Sequence, residues 1–75
     1  MENTLRFTAM IYRENEGFVA ICPELDVASQ GDSVEEASSN LREAVELFME
    51  TADASEIGVR LRGELYVTSM EVKAG

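Results

Sequence analysis

Apolar and polar positions alternate along residues 5–12. Leu5, Phe7, Ala9 and Ile11 fall on one side, and Arg6, Thr8, Met10 and Tyr12 on the other. A period of two over eight residues predicts a strand of roughly 27 Å. The polar run Arg13-Glu14-Asn15-Glu16-Gly17 ends in glycine and predicts a hairpin turn. Residues 18–22 are apolar throughout, the pattern of a strand that is central in its sheet or covered on both faces. Pro23 has no backbone donor and interrupts the ladder. Residues 25–29 predict a short third strand with Leu25 and Val27 inward, and Gln30-Gly31-Asp32 the turn out of it. Gly31 reads as a position with an unusual backbone dihedral.

The period then changes. Val34, Ala37, Leu41, Ala44, Val45, Phe48 and Ala52 are spaced to form one stripe along a helix. That helix would run from near Ser33 to Ala52 and span ~30 Å. Ser33 with Glu36 matches a capping box, in which a hydroxyl and a carboxylate each take one orphan amide; Asp32 with Glu35 fits equally well. Asp32, Glu35 and Glu36 also place negative charge where the helix dipole favours it. Leu47 and Met49 flank the stripe as contacts for a partner. Residues 53–63 hold two glycines and mixed charge, and predict a connection. Residues 64–73 alternate again, with Leu65, Val67 and Ser69 opposite Tyr66, Thr68, Met70 and Val72, and predict a final strand.

The resulting order is β-β-β-α-β, an α+β domain over residues 1–75. Three hairpin-linked strands run up, down and up, and the helix returns downward. The last strand therefore runs up and pairs in parallel with the first. The expected sheet order is 3-2-1-4, with one helix packed on one face.

Composition narrows the function. A chain of 75 residues buries too little surface for a wide stability margin, so a partner or self-association is expected as support. One cysteine and no histidine exclude an internal disulfide and the usual thiolate or imidazole metal sites. A net charge of −9 with only 6 lysines and arginines argues against binding a phosphate backbone and toward a basic partner. No apolar run approaches the ~20 residues of a membrane span. The opening Met-Glu-Asn-Thr-Leu-Arg lacks the basic-then-apolar plan of a secretory leader. A cytoplasmic location is expected, where a lone thiol stays reduced.

The candidates for chemistry resolve into structural roles. Cys22 has neither a histidine base nor a second thiol, and reads as a buried inert side chain. Glu24, Asp26, Asp32, Glu35 and Glu36 would suit magnesium only if the first strand added an acid, and it adds none. Ser-Gln-Gly-Asp-Ser-Val is not a phosphate-binding loop. Tyr12, Phe18 and Tyr66 lack the basic groove of a single-strand binding platform and read as packing residues. No catalytic residue, metal or cofactor is expected, and the chain reads as a non-enzyme.

The stretches "GFVAICPEL" and "ASQGDSVEEASSNLREAVELFME" resemble the HicB-type antitoxin family. The shared features are the strand Gly17 to Ala20, the step Cys22 to Leu25, the turn Ser29 to Asp32 and the acidic helix at 34–50. "LYVTSMEV", at 65–72, resembles the closing strand of short members. The resemblance implies a partial ribonuclease-H-like fold of β-β-β-α-β form. It also implies a function: neutralising a small basic HicA-type toxin, an mRNA-cleaving protein, by masking its RNA site. Toxin contacts are expected from exposed acids around the second and third strands: Glu14, Glu16, Glu24 and Asp26. Family members usually continue into a C-terminal operator-binding domain. This chain ends at Gly75, so no such domain and no direct nucleic-acid binding are expected of it. A homodimer or higher oligomer is expected, and the alternative function is a homo-oligomeric orphan module without a toxin.

Overall fold

Three strands follow one another in a meander: β1 (Met10–Glu14), β2 (Gly17–Cys22) and β3 (Val27–Gly31). The computed structural model describes residues 5–75, apart from the side chains at positions 61 and 62. β1 and β2 pair antiparallel, with Glu14 opposite Gly17, so the connection is the two residues Asn15 and Glu16. Asn15 sits at φ 57, the left-handed region that asparagine tolerates better than most side chains. β2 and β3 also pair antiparallel, from Phe18 opposite Gly31 to Cys22 opposite Val27. The apolar run at 18–22 is thus the central strand, as its composition requires.

α1 (Val34–Thr51) lies across one face of this sheet. Its start is the first of the two candidates: Ser33 is the N-cap, and its Oγ accepts from the Glu36 amide at 3.0 Å. Glu36 answers by accepting from the Asp32 amide at 3.1 Å, one residue earlier than a standard capping box would place it. Asn40 donates from Nδ2 to the Gln30 carbonyl at 2.8 Å and ties the second turn of the helix to β3. The core is Ala20, Cys22, Leu25, Ala37 and Leu41, with Phe7, Ile11, Phe18, Val27, Val45 and Phe48 packed against it. The helix stripe supplies Ala37, Leu41, Val45 and Phe48 and the alternating side of the first segment Phe7 and Ile11, while the central strand supplies Phe18, Ala20 and Cys22 and Leu25 and Val27 complete it.

Gly31 is needed for proximity rather than for an unusual dihedral. Its φ is not positive, but a Cβ there would lie 2.6 Å from the Ala37 amide nitrogen. The absent side chain lets the first turns of α1 approach β3.

Four further features differ from the sequence-based expectation. The first strand begins at Met10 rather than Leu5, because β2 ends at Cys22 and offers no partner further back. The third strand begins at Val27; Leu25 is buried but belongs to the loop. Residues 53–63 contain a second helix, α2 (Ala54–Arg62), instead of a plain connection. Residues 64–73 do not pair. The described sheet has three strands in the order β1-β2-β3, and the fourth strand of the expected order 3-2-1-4 is not among its described pairings. Residues 63–75 are all exposed.

Candidate partner-binding surface

The two ends of the sheet use carboxylates differently. At the end where β2 passes into β3, the loop Pro23-Glu24-Leu25-Asp26 closes the sheet. Leu25 turns inward and is 1% exposed. Asp26 takes φ 57, which aspartate tolerates. Glu24 does not project freely. Its carboxylate accepts from the Thr8 amide at 2.9 Å and 3.1 Å and from Thr8 Oγ1 at 2.8 Å. It lies 3.6 Å from Cys22 Sγ, which donates to it. Partial burial alone would raise the Glu24 pKa, but the hydrogen bonds from Thr8, from its own amide and from Cys22 together outweigh it and hold the carboxyl below its usual range. Burial, assisted by the charge on Glu24, pushes the Cys22 thiol up. A buried, protonated thiol is a poor nucleophile, in keeping with an inert structural role.

α2 closes the same end. Arg60 donates to the Leu25 carbonyl at 2.9 Å, pairs with Glu56 at 3.3 Å and lies 5.4 Å from the Phe48 ring centre. One side chain therefore joins α2, α1 and the loop. The Glu56–Arg60 spacing of four was the readable sign of this helix, but Gly58 within it weakened the helical pattern.

At the hairpin end, Glu14 and Glu16 are exposed. With Asp32 and Glu36 they line an open groove of ≈ 570 Å³. Arg13 lies over the ring of Phe18 at 4.9 Å, and Phe18 also lines the groove, so one cation stands beside the four acids. The four residues expected as contacts are thus not brought together. Glu14 and Glu16 share the hairpin end with Asp32 and Glu36, while Glu24 and Asp26 lie at the other end of β2, about 17 Å away at ~3.4 Å per residue. Glu24 is committed to holding Thr8, which no sequence pattern signals. Asp32 and Glu36, read from sequence only as helix-start charges, prove to face the same groove as the hairpin acids.

Between the ends lies the sheet face opposite α1. Strand alternation places Met10, Tyr12, Val19, Ile21 and Ala28 on it. Met10, Tyr12 and Ala28 are exposed and Val19 and Ile21 half-buried, so no described element covers this face. A partly apolar sheet face bordered by carboxylates at the hairpin suits a protein partner with an apolar patch and a basic rim. Among the described residues no group of three or more His, Cys, Asp or Glu side chains is placed to hold a metal. No helix among them is long and apolar enough to cross a membrane.

A UPF0150 protein of Helicobacter pylori is 32% identical over 65 residues, which are 85% of this chain and 90% of that one. The chain belongs to the UPF0150 family. No family model and no solved structure matches it. The identity spans most of this UPF0150 chain, so it extends beyond any one of the elements described above.

Proposed function

We propose that this UPF0150 protein is an antitoxin-like binding protein of the HicB type, cytoplasmic and not an enzyme. Its target would be a small basic HicA-type toxin whose RNA site it masks. The observation that carries the reading is the groove of Glu14, Glu16, Asp32 and Glu36, set beside an uncovered sheet face in a chain of net charge −9. Such a surface would steer a basic protein by long-range attraction and hold it by short-range apolar contact. The partial ribonuclease-H-like arrangement with sheet order 3-2-1-4 belongs to the same proposal, since it requires a strand on the open edge of β1.

The test is capture of basic proteins by the tagged chain at low and high salt, followed by co-expression of any captured ribonuclease. Growth restored by the native chain, but not by the Glu14→Lys/Glu16→Lys variant, supports the reading. Growth restored equally by both removes the hairpin end from the interface. A second reading, a homo-oligomeric module without a toxin, draws on the unpaired residues 64–73. It predicts self-association with no basic protein retained at low salt.

A further inference from the structure

α2 is held to the rest of the molecule differently from every other element. β1, β2, β3 and α1 all supply side chains to the core or to the layer packed against it, and no described side chain of α2 is among them. Among its described apolar side chains, Ile57 is half-buried and Ala54 and Val59 are exposed. Its 9 residues fall short of the ~12–15 below which a helix is marginal in water on its own. Asp53, its N-cap, makes no side-chain capping bond, and Gly63 beyond its end sits at φ −66 rather than in the left-handed turn that closes many helices. Gly58 weakens its middle. α1, by contrast, is capped by Ser33 and lays its stripe into the core. What α2 has instead is Arg60. The guanidinium donates to the Leu25 carbonyl at 2.9 Å, across 35 residues of chain, and lies 5.4 Å from the Phe48 ring centre. Its ion pair with Glu56 stays within the helix, with side chains 35% and 49% exposed, and steadies the arginine rather than the docking of α2.

We propose that α2 is a latched helix, which undocks and melts as a unit while the sheet and α1 stay folded, with the Arg60–Leu25 bond as the latch. The hinge is the extended pair Ala52 and Asp53, at ψ 148 and 145, which separates the two helices. Opening lets water meet both the guanidinium and the Leu25 carbonyl, so no polar group is left orphaned and the step costs far less than global unfolding. It hands residues 53–75 to solvent as one tether and uncovers the Phe48 ring. Closing fixes the point from which residues 63–75 leave the body. The device does not rest on the antitoxin reading.

The experiment uses the full chain and two readouts, amide hydrogen exchange and limited trypsin cleavage followed by mass. Trypsin can cut after Arg62 at the end of α2 and after Arg42 within α1. In the native chain the α2 amides should exchange before those of α1 and β2, and cleavage at Arg62 should precede cleavage at Arg42. Arg60→Met keeps a long side chain of similar helix propensity and removes every donor. It should speed α2 exchange and Arg62 cleavage on the order of tenfold, with α1 and β2 exchange unchanged. Glu56→Gln leaves the Leu25 bond in place and should change both rates by less than about twofold. Exchange of α2 and α1 as one unit in the native chain overturns the proposal. So does an Arg60→Met chain with native α2 exchange, or one in which α1 and β2 accelerate equally. A Glu56→Gln effect as large as that of Arg60→Met also overturns it, since the anchor would then be the helix's own ion pair.

Discussion

The loop end of the sheet and its hairpin end carry the same kind of residue, and the structure gives them opposite roles. Glu24 spends its acceptor capacity inside the molecule, on the Thr8 amide and hydroxyl and the Cys22 thiol. Glu14 and Glu16, ten and eight residues back along the meander, remain exposed around a groove. A carboxylate is available to a partner only when its own chain has left its oxygens unclaimed. The loop end is therefore where the fold is secured, and the hairpin end is where charge is left for others.

The strongest way to break this contrast is at Leu25, which is 1% exposed at the loop end. Leu25→Ala should cost about 2–5 kcal/mol, a large share of the ~4–11 kcal/mol available to a domain of this size. Urea denaturation would show it as a lower midpoint; a loss below 0.5 kcal/mol would mean that the loop end does not anchor the fold.

Gly31→Ala comes next and tests whether the hairpin end has its own structural constraint. The added Cβ would meet the Ala37 backbone nitrogen at 2.6 Å, and an overpacked backbone contact costs about 1–3 kcal/mol. The same denaturation experiment should show it. A neutral result would mean that α1 shifts freely over β3.

Glu24→Gln should cost about 1.5–3 kcal/mol, the range for hydrogen bonds to a charged group, and it adds a pH signature. The folded-state pKa of Glu24 lies below its ordinary value, so around that ordinary value, about 4.3, the unfolded chain binds more protons than the folded one. Stability from this group is fully present above that pH and is lost as pH falls through the lower folded-state value. Melting curves from pH 7 to 3 should therefore converge for the native chain and Glu24→Gln. Parallel curves would show that the Thr8 bonds contribute no charge-dependent stability.

The smallest effect on the fold, and the largest on a partner, belongs to Glu14→Lys/Glu16→Lys. Stability should change by less than ~0.5 kcal/mol per site, while association with a basic partner slows and loses salt dependence. Asp26→Asn, which keeps a side chain tolerant of φ 57, is the matched control at the loop end. Equal effects from both ends would erase the distinction.

The meander and α1 were legible in the sequence because each obeys a local rule: alternation at 5–12, an apolar run at 18–22, a stripe and a cap from Ser33. What stayed hidden depended on contacts distant in sequence. Glu24 and Thr8 are 16 residues apart, and Arg60 reaches Leu25 across 35; neither leaves a periodic trace. α2 was masked by Gly58 and Gly63, which made residues 53–63 resemble a linker. The joining of Asp32 and Glu36 to the hairpin acids followed from the β2–β3 register, which puts Gly31 opposite Phe18. Residues 64–73 carry the alternation of a strand yet pair with nothing among the described residues, because alternation specifies a pleat and not a neighbouring edge.

The thiol at position 22 has a practical consequence. It is the chain's single cysteine, and its buried, proton-retaining state makes an alkylating reagent wait for the surrounding segment to open. Its rate of labelling is therefore a clock for local opening at the loop end, readable by mass without any engineered probe.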